Sequence, residues 1–416
     1  MRYASFRTTT LAVLTTAGLL ASAACGGSGF DSNSTSTQQS SGPAALQILI
    51  ASSGDAETKA VTDAASAWAK TSGNTATVTT APDIAQQLGQ AFAGGNPPDV
   101  FYVDAARFAD YASVGALEPY ADKVTGVDDF YPSLRQSFTY KDKLYCIPKD
   151  FSTLAMEINT DLWAKAGLST ADVPTTWEQL TAAGQKLKAK GITPIALGDT
   201  RDRVGAFMVQ AGGWVVNKEA TQATADTPEN LQALQYVQSL LKGGLAKYSK
   251  QLDSGWSGEA FGKAKAAITF EGNWIEGAMK ADYPTVKYTI NPMPTGPKGQ
   301  GTLAFTQCWG IAAKSTHKDQ AIKFVEAMTT SQQQLAFAKG FGVMPSRQSA
   351  KDQYTAQFPT DKPFVDGAAY AQGPVNAPKM DSVLADFDTG LQGLATGDPK
   401  AILARVQKNA QAVLGG

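Results

Sequence analysis

Around Pro148 the sequence sets two apolar runs almost end to end, KLYCIPKDFSTLAMEIN from Lys143 to Asn159. Leu144, Cys146 and Ile147 read as a short buried strand that Pro148 stops. Thr153 to Ile158 opens a second strand, because β-branched and apolar residues favour strands and proline cannot donate to a ladder. An acidic and aromatic step, Asp150-Phe151, lies between them. Either the chain leaves one lobe here and enters another, or two ordinary strands and a turn sit inside one domain. Length bears on that choice, since 416 residues exceed what one core organises and suggest two or three domains, two lobes by default.

Charge names no partner. Lys and Arg total 36 against 37 Asp and Glu, a net charge of -1, so neither a basic field for nucleic acid nor an acidic tail is present. The N-terminus says more. Arg2 and Arg7 precede the apolar run Leu11 to Leu20, and Ala21-Ser22-Ala23-Ala24-Cys25 follows, the order of a secretory signal over residues 1–24 that is too short for a permanent membrane span. The small residues before Cys25 resemble a bacterial lipobox, which would make Cys25 the lipidated first residue of the mature chain. Ser22 stands where a large aliphatic residue is usual, and simple cleavage after an Ala-Ser-Ala site is the alternative. Residues 25–43 then form a polar, flexible tether spanning about 25 Å root mean square. Signal, lipid-bearing cysteine and spacer fit a body held at the outer face of the cell membrane.

Two of the three cysteines remain, Cys146 and Cys308, in the strand-like segments LYCIP and FTQCWGIAA. An exported protein sits where disulfides persist, so they form either a bond between neighbouring strands or two buried free thiols. A bond would close a loop of about 160 residues, for which the chain-entropy model gives at most ~5 kcal/mol.

In order, the chain alternates strands and helices. Leu46 to Ala51 reads as a strand, and Val61, Ala64, Ala65 and Trp68 mark one face of the helix after it. Ala76 to Thr80 and Asp99 to Val103 follow as strands, with Asp104 at the carboxyl end of the second, the edge where open α/β sheets collect ligands. Thr175-Thr176-Trp177-Glu178 caps a helix, Ile192 to Leu197 is a strand, and the polar loop carrying Asp199, Asp202 and Arg203 comes next. Ala266 to Phe270 is a buried strand running into Glu271-Gly272-Asn273-Trp274, and Phe305 to Ala313 looks like a return strand. FGVMPSR, residues 341–347, is a further short crossing candidate. Such alternation predicts a second α/β lobe.

His317, the single histidine, lies in the polar run KSTHKD, where surface solvation is its expected role. A His-dependent triad or a His-based metal site is therefore not expected, and HExxH, GxSxG and Walker patterns are absent from the sequence. No metal and no cofactor are expected. A secreted glycoside hydrolase stays open as the alternative, since that chemistry needs only two carboxylates.

Six segments, in this order, resemble the extracellular solute-binding proteins of ABC importers, in particular the carbohydrate-binding family that includes the maltose-type proteins. They are GGNPPDVFYVD (94–104), VGALEPY (114–120), KLYCIPKDFSTLAMEINTDLW (143–163), AAITFEGNW (266–274), TQCWGIAAKS (306–315) and GVMPSR (342–347). The resemblance implies an α/β, two-lobe, periplasmic-binding-protein-like fold of type II, with the ligand in a cleft between lobes joined by crossing strands. It places lobe one at 44–149 plus 309–343 and lobe two at 150–308 plus 344–416. Cys146 and Cys308 then fall on two crossing strands, where a disulfide would stiffen the hinge without locking the cleft.

It further implies a non-enzymatic monomer that captures a sugar or oligosaccharide and passes it to the transmembrane subunits of an ABC permease. The residues it brings to the cleft are Asp55 or Glu57, Asp104, Asp150, Asn273, Trp274, Trp309 and Arg347. Trp274 would be the stacking platform, or else a core tryptophan capping its strand. Asp104 and Asp150 would bond hydroxyls, or else cap helices. Arg347 would clamp the sugar, or else hold the lobes by a salt bridge. The loop with Asp199, Asp202 and Arg203 would line the second lobe, and Trp214 and Trp256 are expected in the core. The same fold could instead box a polyamine or other cation between its aspartates and tryptophans.

Overall fold

The computed structural model describes residues 42–52 and 54–415. The signal segment 1–24, Cys25 and the tether as far as residue 41 lie outside the described residues.

Thirteen strands are present among the described residues. In chain order they are β1 (Ala45–Ile50), β2 (Thr75–Thr80), β3 (Val100–Asp104), β4 (Thr139–Tyr140), β5 (Lys143–Leu144), β6 (Ile147–Thr153) and β7 (Ala155–Asn159). After them come β8 (Ile195–Leu197), β9 (Ala246–Tyr248), β10 (Ile268–Glu271), β11 (Tyr288–Asn291), β12 (Thr302–Ile311) and β13 (Ala371–Gln372). One large sheet runs β13-β12-β3-β1-β2, with β6 also paired to β12; a second runs β11-β7-β10-β8-β9, and β4 and β5 form a two-stranded third. β1 lies parallel to β2 and β3, whereas β12 returns antiparallel to both β3 and β6.

Local sequence explains most of these elements. Along β1 the buried positions Leu46, Ile48 and Ile50 alternate with more exposed ones, the period of a strand with one face inward. The helix Asp55–Ser72 buries Val61, Ala65 and Trp68, spaced four and three apart, and Gly73 closes it in the left-handed conformation at φ 72°.

Each of the two larger sheets carries its own apolar core. Leu46, Phe101, Phe108, Trp309 and Phe324 belong to the first; Met156, Leu180, Phe207, Phe270 and Leu391 belong to the second. β6 begins in the first core at Ile147 and is followed by Leu154 in the second, while β12 begins in the second at Leu303 and reaches the first at Trp309. The antiparallel pair β6/β12 is therefore the crossing. Met344, within FGVMPSR, adds a bridge to Phe151 beside it.

Pro148 does not end a strand, contrary to the sequence expectation. It lies second in β6, opposite Cys308, where the β6/β12 register shifts between Gln307 and Cys308. Lys149 is the extra residue of this bulge, which interrupts the ladder next to Pro148, so a residue without an N–H costs little there. Cys146 and Cys308 are joined beside this bulge with a Cα separation of 5.8 Å, both buried in the first core. The link ties together the first-lobe ends of the crossing strands.

Candidate ligand cleft

A cavity of about 410 Å³ opens where β6 and β12 cross, with walls contributed from both sides of the crossing. Three of its floor residues form a buried ion cluster. Lys149 Nζ donates to Glu57 Oε1 at 3.1 Å and to Asp150, and Tyr102 O–H donates to the same Glu57 oxygen at 3.1 Å. Burial alone would lower the Lys149 ammonium, but Asp150 and Glu57 together outweigh it and hold the group above its ordinary range. Burial also pushes the Asp150 carboxyl up, against the pull of Lys149 and with repulsion from Glu57. The Lys149 ammonium also lies 4.5 Å from the centre of the Tyr102 ring.

The first-lobe wall carries Asp104 at the end of β3. Its Oδ1 accepts from Ala106 N at 2.8 Å and caps the helix Ala105–Ser113, and the carboxylate stays exposed at the cleft. Enclosure by the surrounding walls nonetheless raises its pKa, the Ala106 bond opposes that shift, and Asp202 across the cleft adds to it.

Aromatic surface comes from the second lobe. The half-buried Trp274 meets Phe305 edge-on, with centroids 5.2 Å apart and planes at 89°, and its indole N–H donates to Glu271 Oε2 at 3.0 Å. The same oxygen takes Arg203 at 2.5 Å, whose guanidinium lies 5.2 Å from the Trp274 ring centre. Glu157 lies beneath, fully buried; burial and then Glu271 push its carboxyl well above the usual range. This chain of contacts fixes the tilt of the Trp274 ring. Gly272 lets the indole fold back, because a β-carbon there would fall 2.2 Å from the ring and 2.6 Å from Ser152 Oγ.

Of the residues expected in the cleft, Glu57, Asp104, Asp150, Asn273 and Trp274 line it. Asn273 has its amide N–H on Gly342 O at 2.5 Å, so it also ties the second lobe to the crossing region. Asp55 is exposed and does not line the cavity; two residues along a helix turn roughly 200°, so facing Glu57 inward turns Asp55 out. Trp309 is a correction. It is 1% exposed in the first core, edge-on to Tyr102 at 4.8 Å and to Phe324 at 5.7 Å, because strand alternation beyond the bulge points it away from the cleft.

Arg347 is a second correction as a cleft residue, while the salt bridge held open as its other role is present. Its guanidinium covers Phe130 at 4.2 Å, donates to Thr329 O at 2.5 Å and Gly126 O at 3.1 Å, and pairs with Asp129 at 3.3 Å. It staples a surface loop outside the cavity. Trp214 packs against the second core as expected and also lines the cleft, whereas Trp256 packs away from it with Ile275 and Met279. Asp202 lines the cleft and Asp199 does not. Lys149, Arg201, Phe305 and Gln307 were missed by sequence reasoning. Lys149 and Phe305 sat inside segments already singled out, but only strand pairing decides which alternating positions face the gap.

The sequence profile of the bacterial extracellular solute-binding proteins matches residues 51–335. The chain belongs to that family. Among curated relatives of this solute-binding protein, a Brucella abortus (strain 2308) protein described as a binding protein is 24% identical over 353 residues, 80% of this chain and 83% of its own. The diacetylchitobiose binding protein DasA of Streptomyces coelicolor is 26% identical over 278 residues, 64% of each chain. Among solved structures, the GacH receptor of Streptomyces glaucescens, studied unliganded and with acarbose, superposes with a TM-score of 0.81 at 22% identity, covering 90% of this chain and 99% of that one. At that identity the likeness speaks for the fold, the two-lobe type II arrangement of periplasmic binding proteins.

Proposed function

We propose that this solute-binding protein is the extracytoplasmic receptor of an ABC importer for a sugar or oligosaccharide, held at the membrane through lipidated Cys25 and acting as a monomer without turnover. The observation that carries the reading is the pairing, in one cleft, of aromatic faces with carboxylates from both walls. Trp274, Phe305 and Trp214 offer apolar surface to the C–H faces of a ring, and Asp104, Asp150 and Asp202 offer charged acceptors to its hydroxyls. The sugar ligands named for DasA and GacH support the same class.

On this reading lobe one is 44–149 plus 309–343 and lobe two is 150–308 plus 344–416, hinged on the β6/β12 pair. A ligand that touches both walls only when they approach shifts the population toward the closed form, and its differential contact is the entire driving force. The closed form is what the permease would meet.

A thermal-shift screen over mono- and oligosaccharides, followed by calorimetry, tests the reading. Stabilisation by at least one sugar, with no release of chromophore from nitrophenyl glycosides, is the expected result. Turnover would move the protein to the hydrolases. Replacing Cys25 by Ser is expected to release the protein from the membrane fraction.

A further inference from the structure

The cleft is far more acidic than the chain. Overall the charges nearly cancel, 36 basic against 37 acidic. Yet the cavity is lined by Glu57, Asp104, Asp150 and Asp202 against only Lys149 and Arg201. Both cations are already engaged: Lys149 by Glu57 and Asp150, and Arg201 by Asp388, with Asp202 a further 3.9 Å contact. The site therefore holds more carboxylate than its own cations neutralise.

Two of these carboxylates come from opposite walls. Asp104 stands on the first-lobe wall with one oxygen on the Ala106 N–H. Asp202 stands on the second-lobe wall in the first turn of the helix Arg201–Ala211, its side chain 51% exposed. Both line one cavity, where the charge on Asp202 disfavours ionisation of Asp104 and that on Arg201 favours it. On the floor, Asp150 lines the same cavity, about nine-tenths buried, with its Oδ2 on Lys149. It is a third carboxylate facing the same space, from the floor and not from either wall.

A neutral sugar would bond such oxygens through hydroxyls but leave the repulsion between the walls in place as they close. An anionic sugar would add to it. A flexible polyamine would satisfy the charge but leave Trp274 and Phe305, set edge to face, without a rigid ring to cover. One ligand class meets both demands.

We infer that the preferred ligand is a sugar bearing a protonated amine, an amino sugar or basic glycoside, whose cation lies between Asp104 and Asp202 while its ring packs on the aromatic wall. The inference rests on the sugar-binding reading and narrows it. Asp104 and Asp202 then act as specificity-determining residues. Closing on such a ligand brings an ammonium between two carboxylates that otherwise oppose closure, so the cation both pays for and reports lobe approach.

The test is titration calorimetry of the full mature chain against matched pairs: glucosamine and glucose, galactosamine and galactose, mannosamine and mannose, and the fully deacetylated β-1,4 glucosamine dimer and cellobiose. The expected result is an amine member binding at least about tenfold tighter than its neutral partner, the increment of a charge-assisted hydrogen bond over a neutral one. That ratio should shrink with added salt and fall toward one in Asp104→Asn and in Asp202→Asn. Melting curves of both variants establish that they are folded. Neutral members binding as well as or better than every amine partner would overturn the inference and leave the sugar reading standing. So would a preference that survives both substitutions. Folded protein that binds no sugar, or binds spermidine more tightly than any of them, would overturn both.

Discussion

Glu276 illustrates how little a carboxyl's sequence neighbours reveal of its chemistry. Burial first, and then the facing Asp361 carboxyl, push its pKa from 4.5 up to about 9, with Thr360 pulling the other way. A folded-state value raised this far means that the stability tied to the protonated form is fully present below about pH 4.5 and is lost as pH rises through about 9. Denaturant melts of the wild type are therefore expected to weaken steadily from pH 5 to pH 9, and Glu276→Gln should flatten that slope. An unchanged slope would remove Glu276 as its source. The two tryptophans assigned to the cleft from sequence separate by the same kind of measurement. Trp309, buried among Tyr102 and Phe324, is expected to cost ~3–5 kcal/mol of stability as Trp309→Ala. Trp274→Ala removes a half-buried ring and is expected to weaken sugar binding about 10–100-fold, the worth of roughly 1.5–3 kcal/mol of aromatic burial. Calorimetry and unfolding on the same two variants should give opposite rankings.

At the scale of elements, the β6/β12 pair does most of the organising. It supplies the crossing between two cores and the floor of the cleft through Lys149 and Asp150, and beside its bulge it carries the Cys146–Cys308 link. That link spans 162 residues of sequence. Cross-linking so long a loop limits the unfolded ensemble, so the double variant Cys146→Ser/Cys308→Ser is expected to lose up to ~5 kcal/mol of unfolding free energy. Both sulfurs sit in one core and not across the gap, so ligand affinity in that variant should change much less than stability. A large loss of affinity at modest loss of stability would instead assign the bond to the hinge motion.

For the molecule as a whole, polar contacts join the lobes beyond the cleft, among them the Asn376 amide donating to Thr139 O at 2.9 Å. Arg107 on the first-lobe helix Ala105–Ser113 pairs with Asp381 at 2.6 Å, and Lys379 N donates to Asp110 at 2.6 Å. Both partners of the ion pair are partly exposed, and exposed pairs contribute only ~0–1 kcal/mol. Arg107→Ala is accordingly expected to weaken ligand binding no more than about fivefold. Small-angle scattering should show the radius of gyration fall when sugar is added, in the variant as in the wild type. Identical scattering with and without saturating ligand would argue against closure as the response.

Much of this protein can be read from residue order. Helical spacing located Val61, Ala65 and Trp68, an apolar run located β10, and the succession of six segments indicated two α/β lobes and the family. The first two signals are local, set by backbone periodicity, and the third is a resemblance to a known family. Which side chains meet in the cleft was a different matter. Trp274 and Trp309 both follow strand-like sequence, Asp55 and Glu57 share one helical turn, and Trp214 looked like any core tryptophan. A bulge between Gln307 and Cys308 and the pairing of strands about 150 residues apart decide which of them face the gap. Register and long-range packing are tertiary quantities, and the charge imbalance of the site exists only once both walls stand opposite each other.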